Sequence, residues 1–219
     1  MVTNENIAEV VGILRREVRA WREPVTERSV KAKRDPFRVL IGCLLSLRTK
    51  DEVTDGASER LFALADTPGA MLRLRTKTIE KAIFPVGFYR NKAKQIRGIC
   101  RVLIAEYEGR VPDTIDELVK LKGVGRKTAN LVVTRGHDKQ GICVDIHVHR
   151  ITNRWGYVKT GTPDETESAL REKLPGRYWK SINGLLVAYG QNLCRPVSPF
   201  CSRCKLADVC GQNGVTTRR

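Results

Sequence analysis

The sequence predicts an all-α protein, and three observations carry that prediction. Apolar residues recur at helical spacing along almost the whole chain, the pattern of helices with one buried face. Helix-start signals stand where such runs begin: Asp35-Pro36, Thr67-Pro68 and Thr162-Pro163 each put a capping side chain before a proline suited to the first helical position. The one stretch that alternates like a strand, residues 142–151, has no second strand to pair with. About ten or eleven short helices are expected, set against a usual length of roughly 11–12 residues.

The N-terminal MVTNENIAEVVGILRREVRAW reads as an amphipathic helix and lacks the charged-then-apolar layout of a secretion signal. Asp35 opens a helix with Phe37, Leu40, Ile41 and Leu44 inward. Thr49 and Glu52 have capping-box spacing and open the next, with Val53, Ala57 and Leu61 inward. Asn91 to Glu108 is a longer helix, with Ala93, Ile96, Cys100, Leu103 and Tyr107 on one stripe and Gly109 as its C-terminal cap. Ile115, Leu118, Val119 and Leu121 make Asp113 to Leu121 a helix. The alternating stretch is assigned to the start of a helix running to Trp155 and closed by Gly156. Trp179, Ile182, Leu186 and Tyr189 mark a helix near the C-terminus.

Composition narrows the function. The chain has 219 residues, enough for one large domain or two small ones, and its hydrophobic content of 41% is ordinary for a globular protein. Its charge is not: 40 Lys and Arg against 24 Asp and Glu give a net +16. Such an imbalance points to a nucleic-acid partner, with an acidic membrane surface admissible on charge alone. No apolar stretch approaches membrane-spanning length. Without a secretion signal the seven cysteines belong in a reducing compartment, where a disulfide framework is not expected. Cys43, Cys100 and Cys143 sit in apolar stretches read as helical and are assigned to the core.

Residues 121–133, LKGVGRKTANLVV, hold the most informative local pattern. Glycine near lysine and threonine suggests a phosphate loop, but a nucleotide-binding loop needs glycine directly before the lysine, and here Arg126 precedes Lys127. It also follows a strand, whereas this segment follows a helix. What remains is a helix, a Gly-Val-Gly turn and a second helix. Gly123 and Gly125 let such a turn present bare amides to an anion; the competing reading is a tight helix–helix turn alone. Lys127 falls in the first turn of the second helix, where the dipole opposes its ammonium form, so it suits either a reacting amine or a phosphate contact. Asp145, in VDIHVHR, can cap the helix after it, stabilise positive charge on a nearby sugar, or both. His147 and His149 form a lone H-x-H, which by itself does not signal a metal. Cys194, Cys201, Cys204 and Cys210 form C-x6-C-x2-C-x5-C, dense enough to imply a metal site, with zinc and iron–sulfur both admissible on spacing.

LKGVGRKTAN resembles the helix–hairpin–helix motif of DNA repair glycosylases, with Lys122 in place of the usual proline. Together with the Lys127–Asp145 separation and the four-cysteine spacing, the chain resembles the endonuclease III branch over roughly residues 30–210. The resemblance implies two helical domains with a DNA-binding cleft between them. One would be a six-helix barrel at 29–139 carrying the hairpin at about 113–135; the other would combine 1–28 with 140–219 and carry the cluster loop 194–210. Gly123, Val124, Gly125 and Arg126 would hold a DNA phosphate, Lys127 would attack C1′ of the damaged nucleotide, and Asp145 would be its electrostatic partner. His147 would lie near the active site. Arg48 in LSLRTKD and Phe88 in PVGFYRNKA would be the tips of two wedges that fill the gap left by a flipped nucleotide. Cys194, Cys201, Cys204 and Cys210 would hold a [4Fe–4S] cluster.

The implied activity is a glycosylase with abasic-site lyase activity on oxidised pyrimidines in double-stranded DNA. A glycosylase for mismatched or other damaged bases is the second enzyme reading, and a non-catalytic DNA-binding protein with a structural metal is the reading from another class. A monomer is expected, cytoplasmic and nucleoid-associated if the source is prokaryotic.

Overall fold

The computed structural model describes residues 1–21 and 35–219, and all regular elements among them are helical. The chain divides into two compact units, one of Met1–Glu27 with Ile142–Arg219 and one of Arg28–Gly141. The second junction falls between Gly141 and Ile142; the first expected junction, at 28/29, lies outside the described residues.

In the Arg28–Gly141 unit the described helices are α2 (Pro36–Ser46), α3 (Asp51–Leu64), α4 (Pro68–Arg73), α5 (Thr76–Ile83), α6 (Tyr89–Tyr107), α7 (Ile115–Leu118) and α8 (Arg126–Leu131), following α1 of the other unit. α7 is a single turn, and a π-helical segment, Val132–Gly136, continues α8. Asp35 caps α2 by accepting from the Phe37 and Arg38 amides, and Thr67 caps α4 through the Ala70 amide. Leu40, Ile41 and Leu44 of α2, Ala57 and Leu61 of α3, and Ile96, Cys100 and Leu103 of α6 meet in one core. Burying each leucine or isoleucine contributes about 1.5–3 kcal/mol.

Two expectations here need correction. Thr49 does not cap α3: the helix starts after Lys50, without a side-chain cap. Its hydroxyl is taken instead by groups distant in sequence, Lys92 Nζ and the Gly87 amide. The helix expected over Asp113 to Leu121 shrinks to α7, because turn hydrogen bonds to Leu118 and Leu121 carbonyls already bend the chain toward Gly123.

The other unit contains α1 (Ile7–Arg19), α9 (Ile146–Arg154), α10 (Pro163–Lys173) and α11 (Trp179–Asn192). Ile7, Val10, Val11 and Leu14 of α1 share a core with Val148 and Ile151 of α9 and with Ile182, Leu186 and Tyr189 of α11. Thr162 caps α10 by accepting from the Glu165 amide. The alternating stretch splits: residues 142–145 are irregular and buried, and helix begins only at Ile146. Cys143 is therefore a core residue outside any helix, whereas Cys100 lies in α6 as expected. No helix among the described residues is long and apolar enough to cross a membrane.

Candidate functional site

The hairpin is built from the core outward. Val124 is buried and anchors the turn, leaving Gly123 and Gly125 exposed on either side. Gly125 occupies the N-cap of α8 and contributes no capping side chain, so the amides that open α8 are not capped from that position. Gly123 has φ +82°, a conformation that costs other residues strain. Gln95 of α6 braces the turn by donating from Nε2 to the Lys122 carbonyl at 2.9 Å. A methyl group at Gly123 would stand 2.0 Å from that nitrogen. Gly123→Ala is therefore expected to lower unfolding free energy by about 1–3 kcal/mol, read by thermal melting, and to weaken duplex binding as the brace is displaced.

Arg126 is half-buried and Lys127 exposed in the first turn of α8. Lys127 is close enough to act electrostatically on Cys43: burial pushes that thiol up to about 11, while the charges of Lys127 and Arg135 pull it back.

On the other unit, Asp145 is buried and caps α9, its Oδ1 accepting from the His147 amide at 2.9 Å and the Val148 amide at 3.0 Å. His147 is half-buried, with Arg150 Nη2 donating toward its Nδ1 at 3.1 Å. His149 is engaged by Thr166 and Asn153 of the same unit, in keeping with a structural role. The same helix grips the cysteine loop. Arg150 Nη2 donates to the Cys194 carbonyl at 2.9 Å, and Arg154 donates to the Arg195 and Pro196 carbonyls, each at 2.7 Å. The helix carrying Asp145 and the start of the cysteine loop are thus one construction.

Cys194, Cys201, Cys204 and Cys210 line one cavity with Trp155, Tyr189 and Phe200. Burial pushes the Cys201, Cys204 and Cys210 thiols up, and neighbouring thiolates push the same way. Arg154 Nη1 donates to Cys194 Sγ at 3.4 Å, and the Tyr189 hydroxyl lies 3.1 Å from Cys204 Sγ. Among the described residues, no three His, Cys, Asp or Glu side chains converge on one point able to hold a single metal ion. Arg195 is the one charge between the first two cysteines, but Arg203 and Arg219 join it around the Phe200 ring, at 5.2, 5.8 and 4.4 Å in the order Arg195, Arg203, Arg219.

The two loops expected to carry wedges lie together in the Arg28–Gly141 unit. Arg48 and Phe88 are both exposed and both left-handed, with φ of +53° and +58°. The Arg48 guanidinium sits 5.7 Å from the Phe88 ring centroid. Sequence reasoning passed over the residue behind them, Lys92, which is 6% exposed. Burial brings its pKa down to about 8, which still leaves it mainly protonated at neutral pH. The signal was there: Lys92 stands four residues before Ile96 on the apolar stripe of α6, where a lysine is out of place.

Exposed glycines in a hairpin, an amine in the next helical turn and a buried carboxylate elsewhere suit a protein that binds a DNA backbone and acts on a sugar. The family model for the HhH-GPD superfamily base excision DNA repair protein matches residues 41–176. Endonuclease III of Thermotoga maritima is 49% identical over 80% of this chain and 83% of its own length. A non-covalent endonuclease III–DNA complex superposes with a TM-score of 0.83 at 32% identity, covering 97% of each chain. A trapped endonuclease III–DNA covalent intermediate, an estranged-adenine complex, gives 0.82 at 33% identity with the same coverage. The chain belongs to the HhH-GPD superfamily of base excision DNA repair proteins, in its endonuclease III family of DNA glycosylases and abasic-site lyases.

Proposed function

We propose that the protein removes oxidised pyrimidines from double-stranded DNA and then cleaves the strand 3′ to the abasic site. The observation that carries this reading is a lysine in the first turn of the helix that opens at the glycine hairpin. The hairpin amides of Gly123 and Gly125 hold a phosphate beside the flipped nucleotide, the Val124 amide being taken by the Leu121 carbonyl. The Lys127 amine attacks C1′ with its lone pair, and the C1′–N bond breaks with its electrons going to the base. By its resemblance to the family, Asp145 is the electrostatic partner, its carboxylate offsetting the positive charge that develops on the sugar as the base leaves. The amine adduct opens the sugar to a Schiff base, and loss of a C2′ proton expels the 3′ phosphate by β-elimination. Water then releases Lys127. Arg48 and Phe88 fill the vacated stack, and His147 stands near Asp145 at the start of α9. The covalent intermediate trapped in a similar protein supports this chemistry.

The four cysteines fit a [4Fe–4S] cluster better than zinc. Zinc draws four thiolates to about 2.3 Å from one centre, whereas a cluster takes each thiolate on a different iron. The four thiols line one cavity, and their C-x6-C-x2-C-x5-C spacing resembles the cluster loop of the endonuclease III family. Held by these four thiolates, a cluster would offset part of their charge and tie together the loop that Arg150 and Arg154 grip. Purified protein is then expected to hold iron and acid-labile sulfide in equal amounts. Cys204→Ala is expected to lose most of both and to melt at lower temperature; zinc in their place in the wild type would refute the assignment.

Lesion class is tested by single-turnover excision from duplexes carrying thymine glycol, dihydrouracil or a mismatched thymine. Faster release of thymine glycol supports the proposal, and dihydrouracil shows whether a reduced ring is taken as well. Faster release of the mismatched thymine would move the function to the mismatch reading.

A further inference from the structure

We propose that Lys92 is a positioning residue for strand opening, one that locks the Arg48 and Phe88 tips into a single two-pronged element. The inference rests on the reading of those tips as wedges. Lys92 Nζ donates to the Leu45 carbonyl at 2.8 Å, the Leu47 carbonyl at 2.6 Å and Thr49 Oγ1 at 3.2 Å. An ammonium group has three protons to donate, and here it has three acceptors. Two of them are carbonyls at the end of α2, which have no partner within the helix and favour a positive charge beside them. Arg48 follows at once, between two of the acceptors. The Lys92 amide meanwhile donates to the Phe88 carbonyl at 3.0 Å. That bond is the ordinary first bond of α6, which any residue at 92 would make; the Lys92 side chain holds the Arg48 loop, and the Phe88 loop is joined to it through Thr49.

A second contact closes the joint. Thr49 Oγ1, beside Lys92 Nζ, also accepts from the Gly87 amide at 3.1 Å. A side chain at Gly87 would stand 2.6 Å from the Arg48 carbonyl, so glycine permits the close approach of the two loops. A residue that only filled core space at position 92 would be apolar; a buried lysine with all its protons donated to one loop is holding that loop. Left-handed backbone at both tips is a conformation that needs such external support.

The test compares wild type, Lys92→Met and Thr49→Val on two substrates. One is a duplex with a thymine glycol beside 2-aminopurine, whose fluorescence rises when neighbouring bases unstack. The other is a single-stranded abasic oligonucleotide, which needs no opening. Lys92→Met is expected to lose the fluorescence rise and about tenfold or more in single-turnover excision from the duplex, the scale of one lost charge-assisted hydrogen bond. Its cleavage of the single-stranded site stays within about twofold of wild type. Thr49→Val is expected to shift in the same direction by a smaller factor, and it decides the matter if Lys92→Met melts below the assay temperature. Equal losses on both substrates, or no loss on the duplex, would overturn the proposal. If the wild type itself gives no fluorescence rise while cutting the duplex, the wedge reading fails and the proposal falls with it.

Discussion

Replacing Lys127 by alanine is expected to abolish base release and strand cleavage, by at least about 10⁴-fold, because the variant would lack the amine to which the covalent bond is assigned. Folding should hardly notice. Lys127 is exposed at the start of α8, so alanine opens no cavity, and stability should stay within about 0.5 kcal/mol of wild type. Duplex binding should also survive, since the hairpin amides belong to the backbone and the net charge of +16 falls by one. Lys127→Arg separates reaction from phosphate contact. Arginine keeps the charge and the reach but stays protonated, so it offers no nucleophilic lone pair. If Lys127 reacts, both variants are inactive; if it only holds a phosphate, arginine restores most of the rate. Single-turnover cleavage of an abasic duplex, with binding measured in parallel, distinguishes the two.

The second large effect falls at Asp145, whose two tasks can be pulled apart. Its side chain caps α9, and its charge is assigned to the developing positive charge on the sugar. Asparagine is as good a cap as aspartate, so Asp145→Asn should keep the melting temperature. It loses the charge, and base release should slow by about 10²–10³-fold, the scale of one removed electrostatic stabiliser. Asp145→Ala should slow the reaction similarly and also lose about 1 kcal/mol of stability with the cap. Melting curves and single-turnover excision on both variants check this. A normal rate in Asp145→Asn would reduce Asp145 to a capping residue.

Legibility followed the range of the interactions. Asp35, Thr67 and Thr162 cap as read, because a cap and its amide lie two or three residues apart. The hairpin was legible for the same reason, and so was the gathering of the four cysteines, whose spacing is local, at one cavity. Thr49 misled because its spacing to Glu52 was right while its true partners, Lys92 and Gly87, come from a distant segment. The arginine grip on the cysteine loop escaped notice likewise. Arg150 and Arg154 look like an ordinary charged helix face until folding brings residues 194–196 to them. Lys92 was the exception, a long-range contact with a local sign, a charge on an apolar stripe.

The most direct test of the central claim is borohydride trapping on a duplex with one thymine glycol and on an abasic duplex, followed by peptide mapping of the adduct. The account predicts a covalent adduct with both DNAs, located at Lys127. No adduct with either, from folded protein that binds both, would contradict it and leave Lys127 as a phosphate contact.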